Sequence, residues 1–187
     1  ELRNGEHATL RAFGRELVLF RGENGQVGLL DAFCPHLGAH LGVSGRVRGD
    51  RLRCDFHGWE MAASGRCEHI PCAKRIPDRA VSASYRVHEA NGLILAWHDK
   101  ANRPPSFDPP APKELSDGEW AIVGTRSFDI KTGWREIAEN GVDRAHFHLL
   151  HGYPEPPALD VHTEGHRLFM TSSVPWRRFG RTFTVKL

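Results

Sequence analysis

The sequence predicts an α+β chain in which a small all-β domain leads into part of a second, mixed domain. Three observations carry this. Residues 1–100 break into short apolar runs punctuated by Gly- and Asn-Gly-containing turns at close spacing. Residues 101–118, ANRPPSFDPPAPKELSDG, hold five prolines and few large apolar groups, the composition of a linker or a surface crossing. Residues 119–187 then mix one helical stretch with strand-like runs.

ELVLF (16–20) is a β-type apolar run and GENGQ (22–26) a turn with an Asn-Gly hairpin signal. VGLLDAF (27–33) is the return strand, which delivers the chain to Cys34. GRVRGDRLRC (45–54) alternates Val47, Leu52 and Cys54 with charged residues around a Gly-Asp turn, and reads as a second hairpin. AVSASYRVHEANGLILAWHD (80–99) gives two more strands around Asn91-Gly92, with LILAW expected to be buried. Past the proline-rich stretch, WAIVGTRSFDI (120–130) reads as a strand. GWREIAENGVDRAHFHLLHG (133–152) reads as a single helix closed by Gly152 and Pro154. RLFMTSSVPW (167–176) and RTFTVKL (181–187) are strand-like, so the second domain, 119–187, is expected to be cut short within a β pattern, and a segment before Glu1 to be absent.

The composition is that of an ordinary globular protein, 40% hydrophobic and 26% charged. Its net charge of +2 is spread over mixed signs with no long basic run, so neither nucleic acid nor an anionic membrane surface is implied as a partner. No run reaches the roughly 18 apolar residues of a spanning helix. No apolar signal segment follows Glu1, so a cytoplasmic location is expected. Four cysteines are too few for a disulfide scaffold of this length, and Cys67 and Cys72 are expected to be free, buried thiols. Twelve histidines is a high count for this length, and six of them fall within 36–57 and 146–151, a clustering that points to metal.

The first cluster is Cys34 with His36, then seventeen residues, then Cys54 with His57. Both zinc and iron–sulfur clusters accept such donors. Structural zinc usually draws on paired cysteines within one knuckle, whereas each half-site here mixes a thiol with an imidazole. If one iron of a [2Fe–2S] cluster takes both thiolates and the other both imidazoles, mixed halves follow naturally, because each loop then serves both irons. The second cluster is ENGVDRAHFHLLHG, with Asn140, Asp143, His146, His148 and His151. On a straight helix His148 and His151 share a face while His146 and His151 diverge. Helix geometry therefore selects the former pair, and a polar helix end is an equally good account of the segment alone.

CPHLGAHL followed by CDFHGW resembles the cluster motif of the Rieske non-heme iron oxygenases, and Asn-x(2)-Asp-x(2)-His-x(4)-His resembles their mononuclear iron motif. The wording around the motifs (FCPHLGAHLG, GRVRGD, GRCEHIPCAKRIP, REIAENGVDRAHF) is similar to the branch of 3-ketosteroid 9α-hydroxylase oxygenases and cholesterol 7-desaturases. The resemblance implies a Rieske domain over residues 1–100, a linker over 101–118, and the start of a helix-grip-like catalytic domain over 119–187. It implies Cys34, His36, Cys54 and His57 as ligands of a [2Fe–2S] cluster, and His146 and His151 as ligands of Fe(II), with the helix distorted or ended near 148–151. Asp143 is implied as the acid that couples the two metals between neighbouring subunits of a homotrimer, with Asn140 beside it. Ala39 and Phe56 stand where the respiratory and photosynthetic type carries loop cysteines, and Trp59 where that type has a hydroxyl residue; both departures imply a lower potential. The third Fe(II) ligand, a carboxylate expected far downstream, is not seen, and the spacing of Asp160 and Glu164 does not recommend them.

The activity so implied is that of a monooxygenase or desaturase component. A separate NAD(P)H-dependent reductase, directly or through a ferredoxin, supplies electrons, and O2 is activated against a C–H bond of a small apolar, steroid-like substrate. No GxGxxG dinucleotide fingerprint is present in the chain itself. A Rieske ferredoxin-like electron carrier and an inactive oxygenase fragment are the alternatives.

Overall fold

The computed structural model describes residues 2–110, 118, 123–124, 126–178 and 181–186, of which 176–178 and 181–186 are described by their backbone alone. The chain divides into two compact units, Glu1–Ala121 and Ile122–Leu187.

The first unit is built from strands β1 (His7–Ala12), β2 (Arg15–Arg21) and β3 (Val27–Asp31), the one-turn helix α1 (Leu41–Ser44), strands β4 (Gly45–Arg48), β5 (Arg51–Cys54), β6 (Glu60–Met61) and β7 (Cys67–His69), and the hairpin β8 (Ser84–Ala90) and β9 (Leu93–Trp97). They form two antiparallel sheets, of order β1-β2-β3-β8-β9 and β4-β5-β6-β7. Leu17, Val18 and Phe20 of β2 and Leu52 of β5 are fully buried, and since successive side chains point to opposite faces, β2 is covered on both faces at Leu17 and Val18. One apolar cluster spans both sheets, from Val18, Phe20 and Leu30 to Leu52, Met61 and Cys67, and it includes Cys34 and Cys54. Leu41 of α1 is buried within it and is fastened by its N–H to the Ala32 carbonyl (2.7 Å). The loops carrying both cysteines are therefore anchored on the same packed interior.

β3 lies between β2 and β8 with residues 27–30 all buried. Gly28 is required there by close approach: a Cβ would sit 2.4 Å from Cε1 of Phe20 and 3.0 Å from the Ala63 Cα. Gly28→Ala is expected to cost about 1–3 kcal/mol through overpacking, measured as a lower urea midpoint with an unchanged m-value.

LILAW is not buried as expected. Leu93 is 58% exposed because β9 is an edge strand, paired on one side only by β8. Cys67 is buried, but Cys72 is exposed, in a turn where its φ is +61°.

The second unit holds helices α2 (Trp134–Asn140) and α3 (Arg144–Leu149) and the antiparallel sheet β10 (Ala158–Glu164), β11 (Arg167–Arg178) and β12 (Arg181–Lys186). The single helix expected over 133–152 is two. Residues 123–124 and 126–130 form no strand, and the rest of the strand expected over 120–130 lies outside the described residues. Arg144 ties α3 toward the sheet, its Nε donating to the carbonyl of the buried Pro157 (2.6 Å). Among the described residues no helix is long and apolar enough to cross a membrane.

Candidate metal centres

Two loops of the first unit have the same backbone geometry. Cys34 donates its N–H to the Ala39 carbonyl and accepts at its own carbonyl from Gly38 (2.8 and 2.9 Å); Cys54 does the same with Trp59 and Gly58 (2.8 and 2.7 Å). Both glycines take left-handed φ, +76° at Gly38 and +72° at Gly58, which L side chains avoid. At Gly58 a Cβ would also fall 2.7 Å from Pro71, which closes over the loop. CPHLG and CDFHG are thus two copies of one Cys-x(3)-Gly turn, each presenting a thiol at its base and an imidazole further along. The repeated spacing is a signal that reading the metal donors alone passes over.

The four candidate donors meet in two pairs. Cys34 and Cys54 are 4% and 1% exposed, and the His36 and His57 rings meet edge to face with centroids 4.6 Å apart. His36 also stacks on Trp59, 4.6 Å away at 11°. Burial pushes the Cys34 thiol up to about 11, and the neighbouring Cys54 sulfur adds to the shift. Two sulfurs held this close in an apolar core favour a cation between them over two free thiolates. The Nδ1 of His36 is buried without a hydrogen-bond partner among the described residues. An orphaned lone pair of that kind costs about 1–3 kcal/mol and is relieved by a metal. Two thiols and two imidazoles are the donor types that a [2Fe–2S] cluster with a pair of histidines on one iron would take. Among the described residues no three His, Cys, Asp or Glu side chains converge as on a single ion.

In the second unit the break between α2 and α3 is made by Asp143. Its backbone is extended (φ −76°, ψ 99°), and its Oδ1 caps α3 by accepting from the Ala145 N–H (3.0 Å). Asn140 closes α2. The His146 ring, 13% exposed, has its Nδ1 2.7 Å from the Asp143 carbonyl and 3.8 Å from Asp143 Oδ2. Since a carbonyl only accepts, the proton is assigned to Nδ1, and Nε2 keeps its lone pair for a metal. α3 stops at Leu149, and the chain then turns so that the His151 ring lies 5.1 Å from that of His146. His148 points elsewhere, its Nδ1 donating to the Tyr153 carbonyl (2.6 Å). The pairing expected from a straight helix, His148 with His151, is therefore not the one formed, because the helix ends before residue 151. Asp160 and Glu164 lie exposed on β10.

Residues 1–85 match the Rieske [2Fe-2S] domain family, and residues 96–182 match the 3-ketosteroid 9alpha-hydroxylase C-terminal domain family. Cholesterol 7-desaturase nvd of Hemicentrotus pulcherrimus is 36% identical over 180 residues, 94% of this chain and 38% of that protein. The oxygenase component of a Rhodococcus rhodochrous 3-ketosteroid-9-alpha-monooxygenase is 34% identical over 168 residues, 89% of this chain and 42% of that protein. The chain spans about two fifths of the length of these relatives. Dicamba monooxygenase with non-heme iron and dicamba superposes with a TM-score of 0.71 at 24% identity, over 94% of this chain and 50% of that one. NdmB of Pseudomonas putida CBB5 gives 0.75 at 21% identity, over 92% of this chain and 55% of that one. At such identities the likeness to the solved structures is one of fold. With a Rieske domain matched ahead of a ketosteroid-hydroxylase C-terminal domain, and two relatives of the same kind above 30% identity, the chain belongs to the Rieske oxygenases.

Proposed function

We propose that this chain belongs to the oxygenase component of a monooxygenase or desaturase that oxidises a C–H bond of an apolar, steroid-like substrate. The observation that carries the reading is the presence in one chain of both the paired Cys–His loops and the facing pair His146 and His151. The substrate class follows from the names of the relatives, a cholesterol desaturase and a ketosteroid monooxygenase.

In this reading Cys34 and Cys54 hold one iron of the [2Fe–2S] cluster and His36 and His57 the other, while His146 and His151 hold Fe(II) through Nε2. When bound, the cluster supplies single electrons and the mononuclear iron supplies open positions for O2. Asp143 fixes the start of α3 and the tautomer of His146, and with Asn140 it couples the Fe(II) site to the cluster of a neighbouring subunit. The exposed apolar side chains of Phe33, Leu37 and Phe56 around the imidazoles fit a surface that is covered in a homotrimer. An NAD(P)H-dependent reductase is the electron source. Cys67 and Cys72, the two thiols outside the proposed ligand set, are not joined in a disulfide, which agrees with a cytoplasmic setting.

Anaerobic loading with iron and sulfide, followed by metal analysis and low-temperature EPR of the reduced protein, tests the reading. Two irons and two sulfides should be held firmly, and a third iron should bind but yield to a chelator. A colourless protein with one zinc would overturn it, and a firm two-iron protein with no affinity for further Fe(II) would favour an electron carrier. With Ala39 and Phe56 in the loops, redox titration should place the potential near the low end of the Rieske range, about −150 mV.

A further inference from the structure

The hairpin β8–β9 opens a second feature in the first unit, away from the donor loops. β8 pairs with β3 only at Leu29↔Tyr85 and Leu30↔Ser84, and from Arg86 onward it pairs with β9 instead. Where the two strands part, a cleft of about 850 Å³ opens, lined among others by Arg15, Tyr85, Arg86, His98, Lys100 and Arg103. The stacked rings of Phe13 and His98, 4.5 Å apart at 11°, with Tyr85 5.5 Å from Phe13, stiffen one side of it.

Four of those six side chains are cations, and only two are matched. Arg15 lies 3.4 Å from Asp31, and Arg103 lies 2.7 Å from Asp99. Arg86 and Lys100 are exposed and have no ion pair among the described residues. By contrast, the arginines of β4 and β5 that make ion pairs, Arg46, Arg48 and Arg51, are each matched by Asp55, Glu60 or Glu68. The uncompensated positive charge is concave and is carried on regular strands and a tight turn.

One edge of the cleft is tied to the strand that leads to the candidate cluster ligands. Asp31, the partner of Arg15 at its edge, is three residues from Cys34, so at most about 11 Å of extended chain separates them. No residue from 33 to 59 lines the cleft. An occupant of the cleft therefore makes no use of the loops that carry His57, Leu37 and Phe56.

We propose that this cleft is the docking site of an acidic electron-donor protein, whose carboxylates pair with Arg86 and Lys100. The proposal rests on the reading of the chain as a Rieske oxygenase component. Paired carboxylates raise the local concentration of the donor by electrostatic steering, which is worth about tenfold or more in association rate. On docking, one electron leaves the reduced donor for the cluster, and no proton need move.

The test uses a plant-type [2Fe–2S] ferredoxin as the acidic probe and the double variant Arg86→Glu/Lys100→Glu, both positions being exposed and outside the core. Titration of the chain with oxidised ferredoxin, with and without its cluster, should show binding weakened at least about tenfold in the variant at low salt. The difference should vanish near 1 M salt, where the Debye length is about 3 Å. The rate of cluster reduction by reduced ferredoxin should fall in parallel, while reduction by dithionite stays the same. Wild-type binding by the double variant would overturn the proposal. So would an equal loss in Arg46→Glu/Arg48→Glu, or tight binding of inorganic pyrophosphate in the cleft without any affinity for ferredoxin. EPR of the same samples separates the two levels: no cluster signal defeats the functional reading, whereas a normal signal with unchanged binding defeats only the docking site.

Discussion

Cys34→Ser is expected to leave the protein without its [2Fe–2S] cluster and with a weakened first unit. The side chain is 4% exposed and belongs to the apolar cluster shared by both sheets. A serine there removes a soft thiolate donor and buries a hydroxyl, which costs about 1–3 kcal/mol where it finds no partner. The larger effect is the loss of linkage between the loops. The Cys34 and Cys54 turns are each closed by their own backbone bonds, and in the proposed reading the cluster would fasten one to the other, so its binding energy would also be folding energy. His57→Ala separates the two contributions, because His57 is exposed and removing it opens no cavity. It should abolish the visible absorption and the iron and sulfide content as fully as Cys34→Ser does. The stability of its metal-free form should stay close to that of the metal-free wild type, with Cys34→Ser below both in thermal unfolding. A His57→Ala protein that kept its full cluster and EPR signal would remove His57 from the ligand set.

Much of the first unit is legible in period-2 alternation and turn chemistry, because local signals there agree with the tertiary outcome. The Asn24-Gly25 and Asn91-Gly92 turns and the Val47/Leu52 pairing each specify a hairpin on their own. The exposure of LILAW departs from expectation for a reason local pattern cannot supply: whether an apolar strand is central or at an edge depends on which strands flank it, and β9 is flanked on one side. β6 and β7 are only two and three residues long, too short for any periodicity. In the second unit, the segment 133–152 reads as one helix running through Asp143, yet an aspartate whose carboxylate can accept the N–H two residues on is itself a helix start. That cap is visible in the sequence and outweighs the pattern. The candidate cluster donors stand out in the sequence because their residue types are rare and their spacing is short. The stacking of Trp59 on His36 and the closure of Pro71 over Gly58 are not, since both depend on side chains brought together across loops.

The break at Asp143 decides the second prediction. His146→Ala is expected to abolish binding of a divalent ion at the second site, whereas His148→Ala should leave it within about twofold. The distinction follows from the two imidazole contacts: His146 holds its proton on the Asp143 carbonyl and faces His151, while His148 spends its Nδ1–H on Tyr153 and lies outside that pair. Titration with Co(II) under argon, followed by visible absorption, reads the affinity directly and does not require turnover. Asp143→Asn should keep both the cap on Ala145 and the backbone carbonyl that holds the His146 proton, so the affinity should change little. Asp143→Ala should add the loss of the cap, about 1 kcal/mol of helix stability. If His148→Ala lost the metal and His146→Ala kept it, the straight-helix pair His148 and His151 would be the ligands, and α3 would have to continue through residue 151 in the metal-bound protein. If both histidine variants bound Co(II) as the wild type does, residues 143–151 would be a capped polar helix and no metal site.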